Sequence, residues 1–290
     1  MKRPIALSLA FLILFLRVVA AGATDGAPDI PPETRPEKYS SLDSLFTLYQ
    51  PYLVNIEAYE PIYFLIGTDP SKSTFQLSLK YRLFNSNRNL VENHPWVKGF
   101  HAAYTQTSFW DLSSDSAPFD DTSYKPELFF LSPNIFFSTN RVFRLFIQTG
   151  YQHESNGQAD LASRSTNFLY IKPIFIYYHE GKKVGLQIST KGWVYVRNDT
   201  DTNPDLSDYR GYFEFNMKFG QADGFVLDNT VRWAEKGGSL RTDFTYPLKY
   251  FIFNNLDMYF HVQYTNSLAE RLINYYDRSE VLRIGFAIVR

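Results

Sequence analysis

The chain of 290 residues has no cysteine, almost no net charge and few tryptophans, and these deficits exclude several classes of protein. Without cysteine there is no disulfide framework, no thiolate metal site and no cysteine nucleophile. The formal net charge of −1 gives no basic surface for nucleic acid, so no nucleic-acid partner is expected. Phenylalanine (26) and tyrosine (21) are abundant instead, and the apolar fraction of 44% is too high for a disordered chain.

The one long apolar run stands at the start of the chain. Residues 1–23 combine a basic start, an apolar stretch from Ile5 to Leu16 and small residues up to Ala23, which is the pattern of a secretory signal peptide. No later run reaches the roughly 18 apolar residues that a transmembrane helix needs. The sequence therefore predicts an exported protein that can cross a membrane only with strands.

Residues 24–60 are predicted to be an N-terminal leader and packing segment on the periplasmic side. Prolines and acidic residues dominate residues 24–39, a composition that buries too little apolar surface to order itself. Residues 40–60 are richer in aromatic side chains and can pack against a neighbouring domain. We expect that domain to be residues 61–290.

Beyond residue 60 the hydrophobicity alternates with a period of two, which is typical of strands with two different faces. In Phe75–Leu83 the odd positions are apolar, and polar residues such as Gln76 and Lys80 lie between them. An even number of strands is expected for a closed bacterial barrel, and a membrane strand needs about 9 to 11 residues. About twelve alternating segments fit this arithmetic, near residues 61–67, 74–84, 97–110, 124–137, 142–155, 166–179, 184–197, 209–220, 224–234, 238–246, 249–264 and 280–289.

The two faces of these strands predict which side meets solvent. Lysine, arginine, glutamate and glutamine on one face are costly to bury in the dry core of a soluble sandwich. An apolar outer face on every strand is tolerated in a bilayer. The predicted fold is therefore all-β, a twelve-stranded antiparallel transmembrane β-barrel in the bacterial outer membrane, with a soluble periplasmic barrel or sandwich as the alternative.

Three polar residues fall on the outer face, where polar side chains are unusual. Extending the alternation from Ile147 places His153 and Ser155 outward, and following the next strand backwards places Asn167 on the same face. Residues i and i+2 of a strand lie about 7 Å apart, so His153 can reach Ser155. Ser155 as nucleophile, His153 as base and the neutral Asn167 as orienting group are the parts of a catalytic triad.

The loop between these two strands offers further groups for acyl transfer. Asn156-Gly157 allows backbone amides to turn toward a developing oxyanion. Asp160, Ser163 and nearby carbonyls are oxygen ligands that suit a hard cation such as Ca²⁺. A polar turn of this composition is more often a solvated loop, but polar groups on a lipid-facing surface favour a site because their exposure to lipid is costly.

At these residues the sequence resembles the outer-membrane phospholipase A family. The block Tyr151-Gln-His-Glu-Ser-Asn-Gly157, followed by Ser163-Arg-Ser165 and Asn167, is similar to the catalytic signature of that family. Further similar blocks spread the resemblance over most of the chain beyond the leader: Phe46–Tyr49, Phe75–Leu79, Tyr104–Trp110, Pro118-Phe119, Tyr124 with Pro126, and Asn203-Pro-Asp205.

The resemblance implies an enzyme that cleaves acyl esters of phospholipids and lysophospholipids, with phospholipase A1, phospholipase A2 and lysophospholipase activity. It also implies dependence on Ca²⁺, an active homodimer and a resting monomer. The implied catalytic residues are Ser155, His153 and Asn167, with an oxyanion hole at Ser155 and Gly157. The implied calcium ligands are the Gln158 carbonyl, the Ser163 hydroxyl and Ser116 of the partner subunit, and Gln106 is implied either at the subunit interface or as an ordinary strand residue.

Three other functions remain open at this point, one of which is a purely structural barrel that anchors the cell wall. A porin-like channel is favoured by the charged inner faces of the strands, although a channel has no use for His153 and Ser155 on the outside. A lipid A deacylase also uses serine and histidine on the outer face, but on a smaller, eight-stranded barrel. The remaining histidines are predicted to lie at the rim or in the lumen: His94, His101, His179 and His261.

Overall fold

The computed structural model describes residues 55–84, 89–135, 143–198, 201–251 and 256–290. The predicted signal peptide and most of the predicted leader segment lie outside the described residues. All described residues belong to one unit, residues 44–290. Within those ranges, no helix combines the length and apolar character that a membrane span requires.

Strands form most of the described residues. Their bounds are β1 (Ile56–Ala58), β2 (Ile62–Gly67), β3 (Ser73–Arg82), β4 (Phe100–Trp110), β5 (Phe119–Leu131), β6 (Phe143–Ser155), β7 (Ser165–His179), β8 (Val184–Tyr195), β9 (Phe213–Gln221), β10 (Val226–Ala234), β11 (Gly237–Pro247), β12 (Tyr259–Leu268) and β13 (Arg278–Val289). Within the described ranges two short helices lie in connections, α1 (Asn89–Asn93) and α2 (Leu206–Arg210), and 3-10 turns lie at Pro70–Lys72, Pro95–Gly99, Asp160–Ala162, Glu180–Lys182 and Leu248–Tyr250.

Strands β2 to β13 close into an antiparallel ring. Each pairs with its neighbours in sequence, and β13 closes the ring by pairing with β2, with Phe286 opposite Phe64. The predicted twelve-stranded antiparallel barrel is thereby confirmed. Strand β1 lies outside the ring and, among the described residues, pairs only with β3, with Ile56 opposite Tyr81. This strand lies in the segment predicted as leader. The sequence did not reveal it, because three residues are too few to show an alternating pattern.

Three strands begin at least four residues from the predicted start. Strand β5 starts at Phe119 instead of 124, because the pairing with β4 extends to residues such as Asp121, which lies opposite Phe109. The prediction started later because the polar residues there show no alternation. Strand β12 starts at Tyr259 instead of 249, since Leu248–Tyr250 form a 3-10 turn. Strand β9 starts at Phe213 instead of 209, because α2 extends to Arg210.

Polar side chains face the inside of the ring and apolar side chains face outward, which is the reverse of a soluble barrel. On the outer face Leu128, Ile171 and Val194 are 58%, 54% and 59% exposed. Buried polar side chains on the inner faces of the strands include Gln76, Ser78, Thr105, Thr107, Gln148, Gln152, Glu154, Gln263, Thr265 and Arg283. This inversion matches the predicted transmembrane barrel and argues against a soluble sandwich.

Ion pairs lie on the inner side of the barrel wall, between neighbouring strands or between a strand and a connection. Arg283 lies 2.7 Å from Glu270, and Lys218 lies 3.0 Å from Asp228. The remaining space forms a polar cavity of about 240 Å³. Of the histidines predicted for the rim or lumen, His101 and His261 are buried in the lumen, His179 ends β7, and His94 precedes a 3-10 turn.

Candidate active site

Strands β6 and β7 form the hairpin that carries the proposed triad. Their ladder places His153 directly opposite Asn167, and Ser155 directly opposite Ser165. Since residues opposite each other in a ladder share a face, His153 and Asn167 lie on the same side of the sheet.

Burial shows which side this is. On β6, Gln152 and Glu154 are buried toward the lumen, so the residue between them, His153, faces outward. On β7, Thr166 and Phe168 are buried in the same way on either side of Asn167. The alternation of the sequence therefore assigned the outer face correctly.

A hydrogen-bond network orients the histidine ring. The Nδ1 atom of His153 lies 2.7 Å from Oδ1 of Asn167, and the Tyr151 hydroxyl donates to the same oxygen at 2.7 Å. The Asn167 side-chain nitrogen donates to the carbonyl of Arg197 at 3.1 Å, which fixes the orientation of the amide. Because Oδ1 can only accept, Nδ1 carries the hydrogen and Nε2 of the neutral ring is left to accept a proton.

Ser155 is half-buried on the outer face, two residues beyond His153. Within the described part of the chain no hydrogen bond joins its hydroxyl to His153. A serine hydroxyl can move between staggered rotamers, and catalytic hydrogen bonds often form only when substrate binds. The structure thus brings His153 and Asn167 into contact and places Ser155 next to them on the same face.

Asn156 organises the loop between β6 and β7, a role that the sequence pattern did not reveal. This side chain is 2% exposed. Its Oδ1 accepts from the amides of Gln158 at 3.3 Å and Arg164 at 2.9 Å, and its nitrogen donates to the Ala162 carbonyl at 2.8 Å. The loop that contains two of the predicted calcium ligands, Gln158 and Ser163, is therefore folded around one buried asparagine.

Gly157 follows Asn156 and adopts a left-handed conformation with φ of 67°. A Cβ atom at this position would lie 2.7 Å from the Tyr124 ring, so glycine is required by both space and backbone. Its amide has no hydrogen-bond acceptor among the described residues. An unoccupied N–H group beside Ser155 is available to bind an oxyanion.

The predicted calcium ligands lie in two separate loops. Gln158 and Ser163 belong to the loop around Asn156, whereas Ser116 lies between β4 and β5 and makes no hydrogen bond to either of them in the described residues. Amide carbonyl and hydroxyl oxygens are hard ligands that Ca²⁺ accepts. The described ranges contain no cluster of three or more histidine or carboxylate side chains placed to hold a metal.

Gln106 lies on β4 in a short chain of hydrogen bonds. Its Oε1 accepts from the Tyr104 hydroxyl at 3.1 Å, and its side-chain nitrogen donates to Ser108 at 3.2 Å. Its assignment to a subunit interface stays a prediction.

Two further asparagines hold the start of β7 and were not identified as site residues from the sequence. Oδ1 of Asn198 accepts from the Asn167 amide at 3.1 Å. Asn203 bonds to the backbone of Ser165 twice, accepting from its amide at 3.3 Å and donating to its carbonyl at 3.1 Å. Both asparagines reach β7 from the β8–β9 connection, a contact that local periodicity cannot predict.

Comparison with known proteins gives one consistent family. A model of the family "Phospholipase A1" matches residues 51–288. Phospholipase A1 of Klebsiella pneumoniae is 32% identical over 181 residues, which cover 60% of this chain and 57% of that protein. The Escherichia coli (strain K12) protein is 33% identical over 181 residues, covering 60% and 56%. The match therefore spans less than two thirds of these two relatives. Phospholipase A1 of Proteus vulgaris is 28% identical over 260 residues, covering 85% of this chain and 82% of that protein.

Solved structures agree with the fold. Outer membrane phospholipase A from Escherichia coli superposes with a TM-score of 0.65 at 24% identity, covering 81% of this chain and 98% of that chain. The Salmonella typhi outer membrane phospholipase, a dimer with bound calcium, gives a TM-score of 0.65 at 23% identity, covering 81% and 92%. The twelve strands of the ring also exceed the eight expected of a lipid A deacylase. The match of the family model over most of the sequence, on a barrel of this architecture, means that the chain belongs to the phospholipase A1 family and is an outer-membrane β-barrel protein.

Proposed function

We propose that this chain hydrolyses acyl esters of phospholipids and lysophospholipids, with phospholipase A1, phospholipase A2 and lysophospholipase activity. The observation that carries the proposal is the 2.7 Å contact of His153 with Asn167 on the outer face, next to Ser155. A base and a nucleophile on this face can meet an ester that stays in the membrane. The names of the relatives, which are phospholipases A1, support the same reaction class.

The proposed reaction divides into acylation and deacylation. The Ser155 hydroxyl oxygen attacks the ester carbonyl while Nε2 of His153 takes its proton. His153 then gives this proton to the leaving lysolipid oxygen as the C–O bond breaks. Water attacks the acyl-serine with His153 again as base, and the fatty acid leaves. Asn167 keeps Nδ1 protonated and stabilises the imidazolium that forms in each step.

The oxyanion of each tetrahedral intermediate is assigned to the backbone amides of Ser155 and Gly157. The Gln158 carbonyl and the Ser163 hydroxyl would hold Ca²⁺ together with Ser116 of the partner subunit. When bound, the ion supplies positive charge near the developing oxyanion, where such charge stabilises the transition state.

A homodimer is the proposed active form, and the monomer is the proposed resting form. Exposed apolar side chains surround the hairpin, including Leu128, Leu169 and Ile171 at 58%, 49% and 54% exposure. One barrel wall covers a long acyl chain on one side only, and a second copy supplies the other wall. One chain also contributes only Gln158 and Ser163 to the proposed ion site, so activity requires pairing.

The test is hydrolysis of a micellar phospholipid by purified wild-type protein and Ser155→Ala, each with Ca²⁺ and with chelator. We expect wild type to be active only with Ca²⁺ and Ser155→Ala to be inactive. Ser165→Ala, directly opposite on β7, is the matched control and should stay active. Hydrolysis by Ser155→Ala at the wild-type rate would refute the triad. An inert wild type that conducts ions across planar bilayers would support the channel instead.

A further inference from the structure

Glu154 lies between the proposed base and nucleophile but points in the opposite direction, into the lumen. Its side chain is 5% exposed, and its Oε2 lies 2.5 Å from Nη1 of Arg210. The Ser123 hydroxyl donates to its Oε1 at 2.7 Å. Because a carboxylate is buried stably only when its partners are in place, these contacts hold the β6 backbone at residue 154 from the inside.

Arg210 ends helix α2, and this helix is anchored independently of Glu154. Leu206 and Tyr209 on α2 pack against Leu272 and Tyr275 from the β12–β13 connection, and Leu206 and Leu272 are 1% and 0% exposed. Since the guanidinium is carried on a helix packed in this apolar cluster, Arg210 presents a fixed cation to Glu154.

The same segment also holds the second strand of the catalytic hairpin. Asn203 makes its two hydrogen bonds, at 3.3 and 3.1 Å, to the backbone of Ser165. Ser165 is the ladder partner of Ser155. Asn203 is 2% exposed, so these bonds are shielded from water. One segment therefore contacts β6 through Arg210 and β7 through Asn203, at the same end of the hairpin.

We propose that residues 203–210, named here the clamp segment, position the hydrolytic site by holding both strands of its hairpin, a role that rests on the function proposed above. Asn203 and Arg210 are positioning residues and touch no reacting atom. His153 and Ser155 flank Glu154 on one backbone, so a shift at residue 154 changes the distance from the imidazole to the hydroxyl. A misplacement of about 1 Å can lower a rate by about 10²-fold.

The experiment compares kcat and KM of wild type, Arg210→Gln, Glu154→Gln, the double variant and Arg210→Lys in micelles with Ca²⁺. We expect Arg210→Gln to lower kcat at least tenfold while KM changes less than twofold. Arg210→Lys keeps the charge and should retain more activity. In Arg210→Gln the buried Glu154 carboxylate keeps only the more distant Lys125, at 3.9 Å, as a cationic partner among the described residues. The double variant removes that carboxylate, so its kcat should lie above that of Arg210→Gln and below wild type. If Arg210→Gln fails to fold, Asn203→Ala takes its place in the test, and it should show the same loss of kcat.

The matched control is Arg283→Gln, which breaks another buried arginine–carboxylate pair in the lumen, Arg283 with Glu270 at 2.7 Å. It should keep the wild-type kcat. Thermal unfolding of every variant reports on folding. The clamp is refuted if folded Arg210→Gln has the wild-type kcat, or if Arg283→Gln loses as much activity. Wild type and Ser155→Ala separate the two proposals. If wild type is inert, the proposed hydrolytic function fails, and if Ser155→Ala is as active as wild type, the triad fails. If Ser155→Ala is inert while Arg210→Gln is as active as wild type, only the clamp fails.

Discussion

Tyr151 and His153 share a single acceptor, Oδ1 of Asn167, at 2.7 Å each. Both residues lie on the outer face of β6, and Asn167 lies opposite His153 on β7. The tyrosine hydroxyl therefore holds the oxygen of the Asn167 side-chain amide, while the nitrogen of that amide donates to the Arg197 carbonyl. This makes Tyr151 a fourth member of the hydrogen-bond network around the proposed base.

Tyr151→Phe should weaken catalysis without abolishing it. The variant loses one hydrogen bond to Asn167, worth about 0.5 to 1.5 kcal/mol, which corresponds to a fall in kcat of about 2- to 10-fold. Asn167 keeps its contacts to His153 and Arg197, so KM should change little. Steady-state kinetics on a micellar phospholipid measure both constants. Tyr264→Phe is the control, because Tyr264 donates to Glu280 at 2.9 Å away from the hairpin. An equal loss in both variants would contradict the assignment.

Gly157→Ala should lower activity and stability together. The left-handed backbone at φ of 67° disfavours a side chain by about 1 to 2 kcal/mol, and the new Cβ would lie 2.7 Å from Tyr124. Relief of this contact must move the amide proposed for the oxyanion hole. Gly192→Ala is a matched control on β8, since no atom lies within 4 Å of its Cβ. Activity and thermal unfolding are the measurements, and wild-type kcat in Gly157→Ala would exclude this amide.

The barrel and the outward placement of the proposed triad residues followed from the sequence because they depend on a local period of two. The alternation within residues 143–155 shows by itself which side chains share a face, so His153 could be assigned to a face without knowledge of the neighbouring strands. Strand β1 was missed because three residues have no readable period. The last two residues of helix α2, 209–210, were predicted as the start of a strand, because a helix of five residues is too short to show a helical period.

The contacts that hold the site could not be predicted in the same way. Arg210 meets Glu154 across 56 residues of sequence, and Asn203 meets Ser165 across 38. Such pairs depend on how a connection folds back over the barrel, which no window of sequence contains. The Asn203-Pro-Asp205 block was visible as a similarity to the family, but its role became clear only from the contacts.

Asp111→Ala should loosen the loop that carries Ser116. Hydrogen bonds from Ser113 and Ser114 hold the pKa of Asp111 at about 2, below its ordinary value. The stabilisation from a lowered carboxyl pKa is complete above the ordinary value and disappears as the pH falls through about 2. Hydrogen exchange of residues 111–118 at pH 5 should therefore be faster in Asp111→Ala than in wild type. Asp115→Ala, in the same loop, should exchange like wild type, and identical exchange in all three proteins would refute the prediction.

Ser163→Ala and Gln158→Ala should separate a side-chain ligand from a backbone ligand. The first variant removes the hydroxyl assigned to Ca²⁺, so the calcium concentration for half-maximal activity should rise about tenfold, equivalent to about 1.4 kcal/mol. The second keeps the backbone carbonyl that the assignment uses, so its calcium requirement should change less than twofold. Titration of hydrolysis with free Ca²⁺ gives both values, at saturating substrate. A larger effect of Gln158→Ala than of Ser163→Ala would mean that the side chain of Gln158 binds the ion and that the hydroxyl of Ser163 does not.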